Sequence, residues 1–219
     1  MAEGKRLRQR WLAAKVAVVV LAGAGFGWWW RSAHAPAELP ASACWSVLTR
    51  ADLKPLAEDE HGTFAASYWL DDDGKRLRPT PSEYEQSCEV RRSPGDTILR
   101  VGVRSVNESA MQTLYGWGSE VSYPRLDFGA DVQGWVGVEK VGLGLRCDNP
   151  ETARMEAPYV GVEVSTRYTR PVPDGSHRAI LDILLKTAKA VVADFPCSNP
   201  VHLPDSVPES AGNFPSANH

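Results

Sequence analysis

Four cysteines carry the most definite chemistry in this chain: Cys44, Cys88, Cys147 and Cys197. An even number of cysteines predicts two disulfides in an oxidising compartment. Each half of the region between the first and the last cysteine holds two, which favours Cys44–Cys88 and Cys147–Cys197 among the three possible connectivities. Zinc binding is disfavoured, because tens of residues separate the cysteines and no C-x-x-C motif or histidine pair at ligand spacing accompanies them.

Carboxylates and histidines offer weaker candidates. The sequence "DDDG" over residues 71–74 is the densest acidic cluster, but a calcium loop needs alternating ligands and a distal bidentate acid. Adjacent aspartates before a glycine instead predict a turn between strands. His61 and His177 could act as general bases, yet no G-x-S-x-G nucleophile motif accompanies them. We therefore assign no catalytic, cofactor-binding or metal-binding residue.

Aromatic side chains in the middle of the chain are candidates for binding. Aromatic residues between glycines are suited to a recognition surface for sugars, peptides or a protein partner, or they pack into the core. The candidates are Tyr115, Trp117, Tyr123 and Trp135. Gly142 and Gly144 alternate with apolar residues, so we expect a helix, or alternatively a ligand, to cover their strand face closely.

The N-terminal stretch has the composition of a membrane anchor. Residues 1–10 are basic, and Lys15 is the only charge within residues 11–30. A helix of that length spans about 30 Å, the thickness of the hydrocarbon core of a bilayer. The excess of cations before the apolar run predicts a cytoplasmic N-terminus. The outer membrane interface is then marked by Trp28, Trp29 and Trp30, because indole rings favour that position.

A cleaved signal peptide is the alternative for the same stretch. The apolar run 16–26 has the length of a signal-peptide core, and Ala33-His34-Ala35 fits a cleavage site that would release a secreted chain after residue 35. The bulky indoles and Arg31 oppose cleavage. In either case the remaining chain lies outside the cytoplasm.

The rest of the chain predicts an α+β fold. We expect a linker at 31–43, a domain at 44–197 and a disordered, Pro/Ser/Asn-rich tail at 198–219. Two helices are predicted, one over 46–58 with Thr49 as N-cap and a break near Pro55, and a longer one over 174–195.

About five strands separate these two helices. Residue alternation and β-branched composition place them within 63–70, 87–92, 97–106, 134–147 and 159–168. Together the elements predict an antiparallel-sheet α/β sandwich with two main helices on one face, stapled by disulfides.

Charge narrows the choice of partners. From Pro36 onward the chain carries 18 basic and 26 acidic residues, a net charge of −8. A net-acidic body disfavours nucleic acid as a partner. The expected partners are the membrane, through the N-terminal helix, and an envelope protein or ligand.

The segments "ACWSVLTRADLKPLAE…SCEV" and "GLGLRC…YVGVEV", with a last helix ending "DFPC", resemble a group of actinobacterial envelope proteins with no established activity. The resemblance implies a compact disulfide-bonded α+β domain outside the cytoplasmic membrane and transfers no catalytic residue. The expected function is a membrane-tethered extracytoplasmic binding or accessory domain. A cell-envelope hydrolase and a carrier of lipids or small molecules are the alternatives.

Overall fold

The computed structural model describes Trp30 and residues 36–58, 60–68, 85–92, 95–114, 125–128, 132–136, 140–166, 174–195 and 197–209. The chain divides into two compact units. The first contains residues 1–38 and 59–62, in which Pro36 and His61 form an antiparallel bridge and the backbone N–H of Glu38 donates to the carbonyl of Gly62 at 2.9 Å. The second unit, residues 39–58 and 63–219, holds the folded domain.

An antiparallel sheet forms the centre of the second unit. In chain order the elements are β1 (Ser42–Ala43), β2 (Leu48–Thr49), α1 (Arg50–Leu53), a 3₁₀ turn (Lys54–Ala57), β3 (Phe64–Tyr68), β4 (Gln86–Arg92), β5 (Thr97–Val106), α2 (Glu108–Leu114), β6 (Arg125–Asp127), β7 (Val132–Val136), β8 (Lys140–Arg146), α3 (Pro150–Arg154), β9 (Tyr159–Ser165) and α4 (Asp174–Asp194). Within the described residues, seven strands pair in the order β3-β4-β5-β9-β8-β7-β6.

One face of this sheet is apolar because branched residues alternate along each central strand. Val103 of β5 pairs with Val162 of β9, which pairs with Leu143 of β8, and all three are fully buried. Helix α4 packs on β8 and β9. Its predicted stripe is buried throughout, namely Ile180, Leu184, Ala188, Val191 and Phe195. The helix therefore closes the core over this face.

A short helical segment flanks α4. Asp52 accepts hydrogen bonds from the backbone N–H and the hydroxyl of Thr49 at 2.6 and 2.8 Å, which caps α1 at the predicted residue. The helix predicted over 46–58 begins only at Arg50, because Leu48–Thr49 is strand β2, and after Leu53 the segment continues as a 3₁₀ turn that contains Pro55, where the break was predicted. Its docking uses Ser176 of α4, whose hydroxyl donates to the carbonyl of Pro55 at 3.0 Å.

The α+β class, the antiparallel sheet and the two disulfides are confirmed, but several details differ from the prediction. The sheet has seven strands among the described residues instead of about five. The single strand expected over 134–147 is two strands, β7 and β8, which pair with each other. Helix α2 contacts the face opposite α4 through Met111, so the described helices do not share one face.

The domain is also longer at both ends than predicted. The linker expected at 31–43 already contributes Leu39, which is 6% exposed, and strand β1. The tail expected to be disordered from residue 198 is held by hydrogen bonds as far as Val207, which is 2% exposed. Residues 210–219 lie outside the described part of the chain.

The predicted membrane anchor falls almost entirely outside the described residues. Trp28 and Trp29 lie there, while Trp30 is described and is 53% exposed. Among the helices that are described, none is both long and apolar enough to cross a membrane. The anchor and its tryptophan interface stay predictions.

Candidate functional site

The two disulfides have the predicted pairing, Cys44–Cys88 and Cys147–Cys197, with Cα–Cα distances of 5.3 and 4.9 Å. Cys88 lies on the apolar face of β4, next to Val101 of β5. The first bridge therefore fastens the turn between β1 and β2 to the core. No cysteine is left to act as a nucleophile, since all four are bridged.

The turn after β1 has an unusual backbone. Three consecutive residues without glycine, Cys44, Trp45 and Ser46, have φ angles of 47°, 61° and 66°. The left-handed region costs an L-residue roughly 1–2 kcal/mol, so this left-handed turn stores on the order of 3–6 kcal/mol. Strain of this kind persists only where the surroundings impose it, and it is concentrated at functional sites.

The left-handed turn presents an aromatic pair. The ring of Trp45 meets the ring of Tyr68 edge to face, at 64° and a centroid distance of 6.5 Å. Both side chains are partly exposed, and Tyr68 ends the edge strand β3. Partly exposed tryptophan and tyrosine offer large rigid contact area at low entropic cost, which suits recognition. We call Trp45, Tyr68 and the left-handed turn the aromatic corner.

Three interactions with the rest of the domain hold the aromatic corner in place. The β1–β2 ladder pairs Ala43 with Leu48 on either side of the turn, and both are fully buried. The Cys44–Cys88 bridge holds its first residue. Asp52 of α1 accepts a hydrogen bond from the Nζ of Lys186 of α4 at 2.6 Å, which joins the helix that follows β2 to the long helix. Burial raises the pKa of Asp52, but the hydrogen bonds from Lys186 and Thr49 outweigh it and the pKa is lowered.

Glycines on the opposite face of the sheet are covered by protein side chains. The indole of Trp135 lies over Gly142, its direct cross-strand neighbour, and Met111 of α2 lies over Gly144. The predicted helix cover is therefore correct for Gly144, whereas a neighbouring strand covers Gly142. Trp135 is 1% exposed. It therefore packs into the core, which was the alternative to a recognition surface for this residue.

Charged side chains surround these covered glycines. Arg100 pairs with Glu85 at 2.8 Å, and Lys140 approaches Glu163 at 3.5 Å while lying 5.4 Å from the Trp135 ring centre. The four charged side chains are 28–44% exposed, so each ion pair contributes about 0–1 kcal/mol. These ion pairs are partly exposed and lie beside the buried cluster of Val106, Met111 and Trp135.

Tyr159 borders this face. Burial and its hydrogen bond to Glu108 raise the pKa of the phenol. The hydrogen bond to Glu108 joins β9 to the first residue of α2.

Three of the four aromatic candidates for recognition, Tyr115, Trp117 and Tyr123, lie outside the described residues, so their role stays a prediction. The turn predicted at residues 71–74 lies outside them as well. Among the described residues, no group of three or more His, Cys, Asp or Glu side chains could hold a metal ion. The two histidines considered as general bases, His61 and His177, belong to the first and the second unit respectively.

Sequence reasoning missed Trp45 and Tyr68. The sequence did contain one signal: Trp45 directly follows Cys44. A disulfide at Cys44 fixes the backbone there, and with it the position of the neighbouring tryptophan. Comparison with protein-family models, curated proteins and solved structures finds no match to this chain. The aromatic corner, built from described contacts alone, is thus the best candidate for a functional site.

Proposed function

We propose that this chain is a membrane-tethered extracytoplasmic domain that binds a protein partner of the cell envelope through the aromatic corner. One observation carries the proposal: a bridged, strained, glycine-free turn holds a partly exposed tryptophan against a tyrosine. A turn without function could relieve that strain with glycine or asparagine at positive φ. Here the Cys44–Cys88 bridge and the β1–β2 ladder hold the strained turn, and the turn holds the Trp45 ring against Tyr68.

Location is the second part of the proposal. Two disulfides persist in an oxidising compartment, and the sequence of residues 11–30 suits a membrane helix with its C-terminal side outward. The resemblance to actinobacterial envelope proteins points the same way. A tethered domain meets its partners in two dimensions, which raises their effective concentration.

A photo-crosslinking experiment in membranes of the native host tests the binding role. The full chain carries a benzophenone amino acid in place of Trp45, or in place of exposed Glu151 as a control position. We expect one discrete protein adduct from position 45 and none from position 151. Adding Tyr68→Ala is expected to reduce the adduct about tenfold or more, because it removes the ring that fixes the orientation of residue 45.

Ser46→Gly is the matched control for the fold of the turn. Glycine tolerates the left-handed φ of this residue and leaves both rings in place, so the adduct is expected to remain. An adduct that ignores Tyr68→Ala, or one that forms only from position 151, would refute the aromatic corner as the binding surface.

Two other outcomes would replace the proposal. Turnover of an envelope substrate that disappears in His61→Ala or His177→Ala would establish the hydrolase alternative. A stoichiometric lipid or small apolar molecule that copurifies with the folded chain would establish the carrier alternative.

A further inference from the structure

The residues after α4 run back onto the domain. The backbone N–H of Ser198 donates to the carbonyl of Asp148 at 2.6 Å. Asn199 accepts from the N–H of Asp148 at 2.7 Å and donates to the carbonyl of Arg146 at 3.0 Å. We call residues 197–209 the strap. Its first residues are therefore fastened to the end of β8.

Farther along, the strap is held to α4. Lys189 donates through Nζ to the carbonyl of Asp205, and Arg178 donates through Nη2 to the carbonyl of Val207, both at 3.0 Å. Lys189 lies near the C-terminal end of α4 and Arg178 near its N-terminal end. The strap thus lies along α4 with its chain direction antiparallel to that of the helix.

The strap lies beside a second apolar stripe of α4. Arg178, Leu181, Leu185 and Lys189 follow each other at spacings of three or four residues, so they share one side of the helix. Leu181 and Leu185 are 0% and 4% exposed although the flanking Arg178 is exposed, and Val207 of the strap is 2% exposed. Carbonyl groups of the strap bind the two side chains that flank this stripe, which places the strap beside it.

The two disulfides differ in access. Cys44, Cys88 and Cys147 are fully buried, whereas Cys197, the first residue of the strap, is partly exposed. Thiol–disulfide exchange requires an attacking thiolate to reach one sulfur of the bridge. Of the four cysteines, Cys197 alone has solvent-exposed surface in the folded domain, so the Cys147–Cys197 bridge is the one that a thiolate can approach from that residue.

We propose that the Cys147–Cys197 bridge is a redox clip, which a dithiol oxidoreductase outside the cytoplasm opens by attack on Cys197. The first thiolate of the partner bonds to the Sγ of Cys197 and displaces Cys147 as a thiolate. The second thiolate of the partner then attacks the partner sulfur of that mixed disulfide and releases Cys197. Two electrons pass to this chain, the partner leaves as a disulfide, and the two thiol protons of the partner end on Cys147 and Cys197.

Opening the clip removes the Cys147–Cys197 bond, which holds the first residue of the strap to the domain. What remains is a set of exposed or partly buried hydrogen bonds and the single buried side chain of Val207. Individual bonds of this kind contribute only about 0.5–1.5 kcal/mol, so the strap exchanges between bound and released states. Release takes the strap away from the stripe of Leu181 and Leu185. The fully buried Cys44–Cys88 bridge keeps the aromatic corner fixed meanwhile.

Graded reduction of the oxidised full chain tests the clip. The chain is treated under native conditions with a small dithiol (dithiothreitol), alkylated at intervals and mapped by peptide mass. We expect Cys147 and Cys197 to be labelled on the order of tenfold faster or more than Cys44 and Cys88. Hydrogen exchange at the amides of Ser198 and Asp148 is expected to rise after this first step to the rate of unprotected amides, while the amides of β5, β8 and β9 stay far more protected than those two.

The double variant Cys147→Ser, Cys197→Ser is the open-state control and is expected to show the same fast exchange without reductant. If that variant fails to fold, the wild-type time course still decides. Equal labelling of both bridges, or earlier labelling of Cys44 and Cys88, would overturn the clip. Unchanged protection of Ser198 after reduction of Cys197 would overturn the release of the strap.

Discussion

Replacing Cys44 and Cys88 together by alanine is expected to lower the free energy of unfolding by about 4 kcal/mol. The bridge joins residues 44 positions apart, and cutting it restores the entropy of that loop to the unfolded chain. Both cysteines are fully buried, so alanine adds no unpaired polar group. The loss is large beside the 5–15 kcal/mol that stabilise a typical domain.

Denaturant unfolding measures this loss, and the other bridge supplies a matched control. Cys147 and Cys197 are 50 positions apart, so their double alanine variant releases a loop of similar entropy and is expected to cost a similar amount. Because the chain has eight tryptophans, near-ultraviolet circular dichroism is compared with and without Trp45→Phe to isolate the Trp45 signal. This signal separates the two variants, because only the first frees the left-handed turn. A loss below about 1 kcal/mol, or an unchanged Trp45 signal, would contradict the role assigned to Cys44–Cys88.

Gly142→Ala is expected to destabilise the domain by about 3 kcal/mol, and Gly144→Ala by about 1 kcal/mol. A Cβ at residue 142 would lie 2.5 Å from Cε2 and 2.6 Å from Nε1 of the Trp135 ring. That ring is rigid and 1% exposed, so the strand must shift. A Cβ at residue 144 meets the flexible end of Met111 instead, whose three rotatable bonds can turn it aside.

Thermal and urea unfolding of the two alanine variants measure the loss of unfolding free energy at each position. The two glycines are neighbours on the same face of β8, so the losses can be compared directly. Neither glycine has a positive φ, so backbone conformation contributes equally to both substitutions. Gly142→Ala combined with Trp135→Phe is expected to recover part of the loss, because the smaller ring leaves room for the Cβ. Equal losses for the two glycines, or no loss for Gly142→Ala, would show that Trp135 does not lie over residue 142.

The elements with strong local signals were predictable from the sequence. Helix α4 shows an uninterrupted apolar period, Thr49 is a common N-cap residue, and Pro55 cannot continue an α-helix. The disulfide pairing followed from the placement of two cysteines in each half of the domain. In all these cases the deciding interaction lies within a few residues or within one half of the chain.

The details that depend on distant contacts were not predictable. "CWS" contains no glycine or asparagine to mark left-handed backbone, since its conformation is imposed by the bridge to Cys88. The strap has the composition of a disordered tail and becomes ordered through Asp148, Arg178 and Lys189. "GWVGVEKVGLGLRC" reads as one strand because both arms of its hairpin alternate in the same way.

The intact mass of the chain purified from its native host, alkylated without prior reduction, tests the proposed function most directly. A tethered extracytoplasmic domain predicts a membrane-bound chain that retains the residues before Pro36 and carries no alkyl group, or two where the Cys147–Cys197 clip is open. A chain that begins at Pro36 and is recovered from the medium would contradict the tether. Alkylation of all four cysteines in freshly isolated protein would contradict the oxidising location, and with it the disulfide-fixed aromatic corner on which the proposed binding depends.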